Sequence, residues 1–198
     1  MKLSDKKRLQ ILDTAEDLFH RQGVEHTSMD QLAIEANVSK RTVYNHFATK
    51  EVLFKAITDR MITRLTEGRS LQFDPSQTVA EQLQKIAEDE VAMLSSDTFL
   101  RMARIAMLQM LKEPELAQTM NNSPMGCKRY LEAFLTDATS AGALKVDDVE
   151  FASHQFIYHL KAFAFYPALF GLHQPSADEL KKIVSESVKM FLARYQAK

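Results

Sequence analysis

Residues Thr27 to Lys50, T-S-M-D-Q-L-A-I-E-A-N-V-S-K-R-T-V-Y-N-H-F-A-T-K, read as two short helices joined by a tight turn. Thr27 is placed to cap the first, and Asp30 favours the same helix start through its negative charge. Met29, Leu32, Ala33 and Ala36 recur at helical spacing. The pattern breaks at Asn37, where such a turn needs a left-handed residue, and Asn is the commonest substitute for Gly there. Val38 supplies an apolar plug, and Ser39 is placed to cap a second helix of about Ser39 to Phe47. Val43 and Phe47 form its buried i, i+4 pair. The other side chains, Lys40, Arg41, Thr42, Tyr44, Asn45 and His46, are hydrogen-bonding groups. A helix that points so much polar chemistry outward builds a poor core and suits a nucleic-acid groove, although an ordinary helical hairpin with solvated faces shares the pattern.

Outward from this stretch, Ile11, Leu12, Ala15, Leu18 and Phe19 predict a preceding helix from about Asp5 to Gln22, stopped by Gly23. After it, Thr49 caps a fourth helix running to about Glu67, with Glu51 in its first turn and Val52, Leu53, Ala56, Ile57 and Ile62 inward. The chain carries a net charge of only −1, but the distribution is uneven. Residues 1–8 hold Lys2, Lys6, Lys7 and Arg8 against Asp5, and residues 36–58 hold Lys40, Arg41, Lys50 and Lys55 against Glu51. Positive charge therefore gathers beside the second short helix, as a nucleic-acid surface requires.

The run I-L-D-T-A-E-D-L-F from Ile11, then Gly23, T-S-M-D-Q-L-A and V-S-K-R-T-V-Y-N-H-F-A-T-K-E-V-L, resembles the TetR-type repressor DNA-binding domain over about the first 60 residues. Asn37 and Arg41 depart from it, standing where that family often has Gly. The resemblance implies a DNA-binding transcriptional regulator, a homodimeric repressor of a palindromic operator released by a small apolar effector. It implies DNA contacts from Thr27, Ser28, Ser39, Lys40, Arg41, Thr42, Tyr44, Asn45, His46 and Lys50. Arg41, Tyr44 and Asn45 would meet bases or thymine methyls, and Thr27, Tyr44, His46 and Lys50 would hold phosphates. The fourth helix would link head to body, its tilt being what an effector changes. K-E-P-E-L-A, from Lys112, also resembles the body of acriflavine-resistance-type regulators, less specifically.

Composition agrees with an all-α chain: 45% hydrophobic and 26% charged residues, with five Gly and five Pro. The expected architecture is an N-terminal three-helix helix-turn-helix head plus a C-terminal helical bundle body, about nine helices in all. The segment from Gly68 to Thr78 reads as a linker, so a DNA-binding domain with its connecting helix spans 1–67 and an effector-binding and dimerisation domain spans 68–198. The body helices are marked by Val79, Leu83, Ile86, Ala87, Glu90, Val91 and Leu94, then by Thr98 to Lys112. A short piece follows Pro114, and a helix of about Met125 to Ala141 stops at Gly142.

Asp147 to Phe170 is apolar on more than one face, and the last helix carries Leu180, Ile183, Val184, Val188, Phe191 and Leu192 on one stripe. Helices so apolar call for a second copy, with Phe156, Leu160, Phe163, Val184, Val188 and Phe191 as the dimer interface. Seven of the ten Met lie between Met61 and Met125. Besides core filler, they suit an adaptable apolar pocket lined by Met61, Leu65, Phe99, Met102, Ile105, Met107, Met110, Met125, Tyr130, Phe134 and Phe163.

No catalytic motif, cofactor or metal site is expected. G-x-S-x-G, P-loop, G-x-G-x-x-G and H-E-x-x-H patterns are absent from the sequence. Glu150, His154 and His159 lack metal-ligand spacing. The single Cys127 has no resolving partner, and Lys128 and Arg129 beside it would favour its thiolate, against a buried structural thiol. No apolar run has the length of a membrane span and no signal peptide opens the chain, so a cytoplasmic protein is expected. Two other functions fit the residues: a DNA-binding regulator controlled by a protein partner without a small ligand, and a helical enzyme using the hairpin as scaffold.

Overall fold

The computed structural model describes residues 3–66, 72–112, 115, 118 and 127–197, with backbone alone at 61, 62, 64–66 and 127–129. Met61, Ile62, Leu65, Met125, Cys127, Lys128 and Arg129, to which side-chain roles were given above, lie outside the described side chains, as does most of the piece after Pro114.

The head begins with α1 (Leu3–Gln22), two residues earlier than the apolar spacing suggests, and buries the expected stripe of Ile11, Leu12, Ala15, Leu18 and Phe19. Gly23, at φ 82°, ends it by donating its N–H to the Phe19 carbonyl at 3.0 Å. Two seven-residue helices follow, α2 (Met29–Glu35) and α3 (Lys40–His46). Neither is long enough to persist alone; both are held by caps and by Leu32, Ala33, Ala36, Val43 and Phe47 in the core. Between them Asn37 sits at φ 49°, the left-handed turn residue the sequence calls for.

α4 (Lys50–Thr66) buries Leu53 and Ile57, with Phe54 and Thr58 beside them, while Val52 is 48% exposed. This corrects the expected inward face. At 100° per residue the arc holding 53 and 57 also takes 54 and 58 and turns 52 to the opposite side. Phe54 meets Phe19 at 6.1 Å, and Arg60 ties α4 to α1 through Glu16 (2.6 Å) and Asp13 (2.8 Å).

In the body, α5 (Val79–Leu94) opens on a capping box in which Thr78 and Glu81 satisfy each other's backbone, and α6 is Asp97–Lys112. α7 (Cys127–Ser140) leads to α8 (Val149–Leu160), which runs through a π-helical turn, Lys161–Phe165, into α9 (Tyr166–Leu169). α10 (Ala177–Tyr195) starts on a second capping box, Ser176 with Glu179. All seven residues expected to face inward on α5, Glu90 included, are buried. α5 packs against α10 and α7 against α8, around a core that includes Phe134, Leu135, Phe156 and Phe191. Among the described residues the only β feature is an isolated bridge between Leu144 and Gln196.

The chain divides into two compact units: Met1–Thr66 with Arg101–Ser123, and Glu67–Leu100 with Pro124–Lys198. The stretch from Arg101 groups with the head's residues rather than with the body. The cause is apolar: Ala106 is buried in the head's core cluster, with Met102, Ile105 and Met110 packed against it.

Candidate nucleic-acid interface

Ser28, not Thr27, caps α2. Its Oγ accepts from the Gln31 N–H at 3.0 Å, a pairing that S-x-x-Q at 28–31 already signals. Thr27 is 2% exposed and turns inward, its hydroxyl donating to the Gly23 carbonyl at 2.8 Å. Its side chain is therefore closed to a phosphate, which corrects the expected contact. Ser39 caps α3 as expected, accepting from the Thr42 N–H at 3.1 Å.

With Val43 and Phe47 fixed inward, helical geometry sends Arg41 and Asn45 to the opposite side, while Lys40 and Tyr44 flank the buried pair. All four are exposed, Tyr44 by 43%. Lys40 donates to Asp30 at 2.8 Å, and that hydrogen bond, with the charge of Asp30, raises its pKa above the ordinary lysine value. Among the described residues Arg41 and Asn45 have no hydrogen-bond or ion-pair partner, so their donors point outward unengaged. His46 is half-buried with its ring 6.3 Å from Phe47, at the margin of this face.

Lys50 is placed differently from expectation. Its ammonium donates to the carbonyls of Val24 (2.9 Å), Thr27 (3.2 Å) and Glu25 (3.4 Å). An ammonium has three protons, and three acceptors of its own chain surround this one. Lys50 therefore binds the α1–α2 loop to the start of α4 and holds α2 in position, rather than presenting a charge to DNA. The same loop is tied again by Glu25, which pairs with Lys112; that hydrogen bond, foremost, lowers the Glu25 pKa. Sequence reading missed both ties, because nothing local marks partners 26 and 87 residues apart. It also missed Arg8, whose guanidinium stands 5.2 Å over the Phe47 ring.

Among the described residues the expected effector lining does not come together. Met102, Ile105 and Met110 pack on the head's core, and Met107 is half-buried on the same helix. Phe99 instead meets Phe165 at 5.6 Å, Phe134 meets Phe73 at 5.7 Å, and the Tyr130 hydroxyl donates to buried Glu90 at 2.6 Å. Phe163 is 52% exposed.

The expected dimer surface is corrected more strongly. Phe156, Leu160, Val184, Val188 and Phe191 are all buried within the chain's own body, Phe156 edge-on to Phe191 at 5.1 Å. Expectation went astray by leaving α5, whose apolar stripe covers α10, out of the count. Of the six, only Phe163 faces out. It lies in a cleft of about 540 Å³ with His159, Pro167 and Ile183. The π turn puts it there: one extra residue per turn rotates 163 outward while Ala164 and Phe165 stay inside. His159 is a hydrogen-bonded wall residue, its Nδ1 2.8 Å from the Ser187 Oγ, and His154 stacks on Tyr158. Among the described residues no helix is long and apolar enough to cross a membrane.

Residues 11–57 match the model of bacterial regulatory proteins of the tetR family, and residues 81–197 that of the AefR-like transcriptional repressor C-terminal domain. The HTH-type transcriptional regulator YhgD of Bacillus subtilis is 30% identical over 151 residues, 74% of this chain and 75% of that protein. The fatty acid metabolism regulator protein of the same organism is 24% identical over 73% of this chain and 74% of its own. A TetR family transcriptional regulator from Pseudomonas syringae superposes with a TM-score of 0.80 at 34% identity, covering 99% of this chain and 100% of that one. The flavonoid-responsive regulator FrrA gives 0.84 at 26% identity, over 97% of this chain and 98% of its own. With its helix-turn-helix head and its helical body both matched, the chain belongs to the TetR family of DNA-binding transcriptional regulators.

Proposed function

We propose that the protein acts in the cytoplasm as a homodimeric repressor, two copies setting their α3 helices into successive major grooves of a palindromic operator about 34–36 Å apart. The observation that carries this reading is the outward face of α3, where Arg41 and Asn45 offer donors that nothing among the described residues engages. Arg41 pairs bidentately with guanine and Asn45 with adenine, while Tyr44 meets a thymine methyl or a phosphate. Ser28, Ser39, Lys40, Thr42 and His46 flank these residues and contact the backbone. The second copy covers the aromatic residues the body leaves exposed on α8 and the π turn, Phe151, Tyr158 and Phe163, together with Met190 of α10. A small apolar effector is supported by the relatives that the words fatty acid and flavonoid-responsive describe. Its site lies in the body, and its binding weakens the grip on DNA.

Sequencing the duplexes that the purified protein retains from a random or genomic pool tests the central claim. An enriched inverted repeat is the expected result, and a pool without enrichment at moderate salt would overturn it. Light scattering then tests the dimer. For the effector, a thermal-shift screen of fatty acids and flavonoids should return compounds that raise the melting temperature and loosen the selected duplex together.

A further inference from the structure

We infer that the groove between the start of α1 and the α2–α3 turn is an additional phosphate site for the operator backbone, with Lys7 as its cation. The inference rests on the DNA-binding reading above and adds to it a residue of α1, outside the helix pair.

The groove encloses about 540 Å³ and is lined by Lys7, Ala33, Ile34, Asn37, Val38, Ser39 and Thr42, without a carboxylate. Lys7 is half-buried, so its stem is held, and among the described residues no acidic side chain pairs with it. Opposite stand two hydroxyls, Ser39 Oγ and Thr42 Oγ1, 2.7 Å apart. Whichever donates to the other, one hydroxyl proton is left without an acceptor among the described residues. The exposed Asn37 amide adds another donor at the same wall. An ammonium, a spare hydroxyl proton and an amide around a groove without anions suit a singly charged phosphodiester oxygen. Placement agrees: at 100° per residue Thr42 lies only 60° round α3 from Asn45, so the groove borders the base-facing side, where a strand backbone runs. Lys6 and Arg8 add to the positive field.

The test compares wild type with Lys7→Ala and Lys7→Arg by fluorescence anisotropy, on the duplex the wild type selects and on a random duplex, between 50 and 200 mM KCl. The substitution removes one phosphate contact from each head of the dimer, which flattens the slope of log affinity against log salt by about 1.8, equivalent to roughly sixtyfold weaker binding at 0.1 M. Lys7→Ala should show that loss equally on both duplexes, leaving the ratio between them unchanged, and Lys7→Arg should restore the slope. A folded Lys7→Ala protein with wild-type slope and affinity overturns the inference, as does a loss confined to the selected duplex, which would make Lys7 a base reader. A wild type that binds neither duplex refutes the function itself, an outcome distinct from both.

Discussion

The exposed faces of α3 and α10 are both polar, yet their charges are arranged in opposite ways. On α10 two ion pairs close within the helix, Lys181 with Asp178 and Lys189 with Glu186. On α3 Arg41 and Asn45 have no partner among the described residues. Exposed pairs at helical spacing are worth a few tenths of a kcal/mol each and serve solubility. Donors left unengaged on a rigid, capped helix are waiting for acceptors from outside the chain. What α10 and its neighbours leave unmatched is apolar instead, with Phe163 and Met190 each about half exposed. On the function proposed above, one region addresses phosphates and base edges, and the other an apolar surface.

The largest test of this contrast is Val188→Glu. Val188 is 6% exposed within the body core, so a carboxylate there has no water and no cation to meet. The variant should lose about 3–5 kcal/mol in urea unfolding and fail to fold at ordinary temperature. A well-folded monomer would return Val188 to a subunit interface. Lys50→Ala comes next: removing a charged donor from three carbonyls should reduce stability by about 1.5–3 kcal/mol. Amide exchange should accelerate first at residues 23–28. If Lys50→Ala instead keeps wild-type exchange and loses only DNA affinity, Lys50 is a phosphate ligand after all.

Arg41→Ala separates the two faces most cleanly. Its folding stability should stay within about 0.5 kcal/mol of wild type, while discrimination between the selected duplex and a single-base variant falls by about 1–3 kcal/mol. Equal loss on every duplex would make it a backbone clamp. The smallest effect is expected with acid. Glu179 has its pKa lowered by hydrogen bonds from the Ser176 backbone and hydroxyl and from His173, and Glu81 by hydrogen bonds from the Thr78 hydroxyl and backbone. Groups with depressed pKa contribute stability above the unfolded value near 4.5 and lose it as pH falls through the folded value. The urea midpoint should therefore decline below about pH 4.5, and less steeply in a Glu81→Gln, Glu179→Gln double variant; identical slopes would remove the capping boxes from the account.

How far the sequence could be read followed from the range of the interactions. Asn37, Ser39, Val43 and Phe47 act on neighbours within a few residues, so the helix-turn-helix and its outward face were legible from the order of residues alone. Ser28 was equally local, and the S-x-x-Q signal was simply outweighed by the neighbouring Thr27. The α8 and α10 stripes were legible as apolar but not as to what covers them, since the cover, α5, lies far back in the chain. The extra residue of the π turn, which alone turns Phe163 outward, leaves no mark in a 3.6-residue pattern. Lys50 shows the limit most plainly. A lysine at a helix start reads the same whether it faces a phosphate or three carbonyls of its own chain.

The grouping of Arg101–Ser123 with the head has a consequence for how the protein is made. The head's core includes Ala106, and its α1–α2 loop pairs with Lys112, so the residues that complete it are synthesised well after α4. At ribosomal speeds of roughly 5–20 residues per second, the interval between Thr66 and Lys112 lasts several seconds. Through that time the nascent head lacks one wall, and its apolar side stands open to chaperones or to a neighbouring chain on the same message. A gene fragment ending after α4 would make that unfinished state permanent.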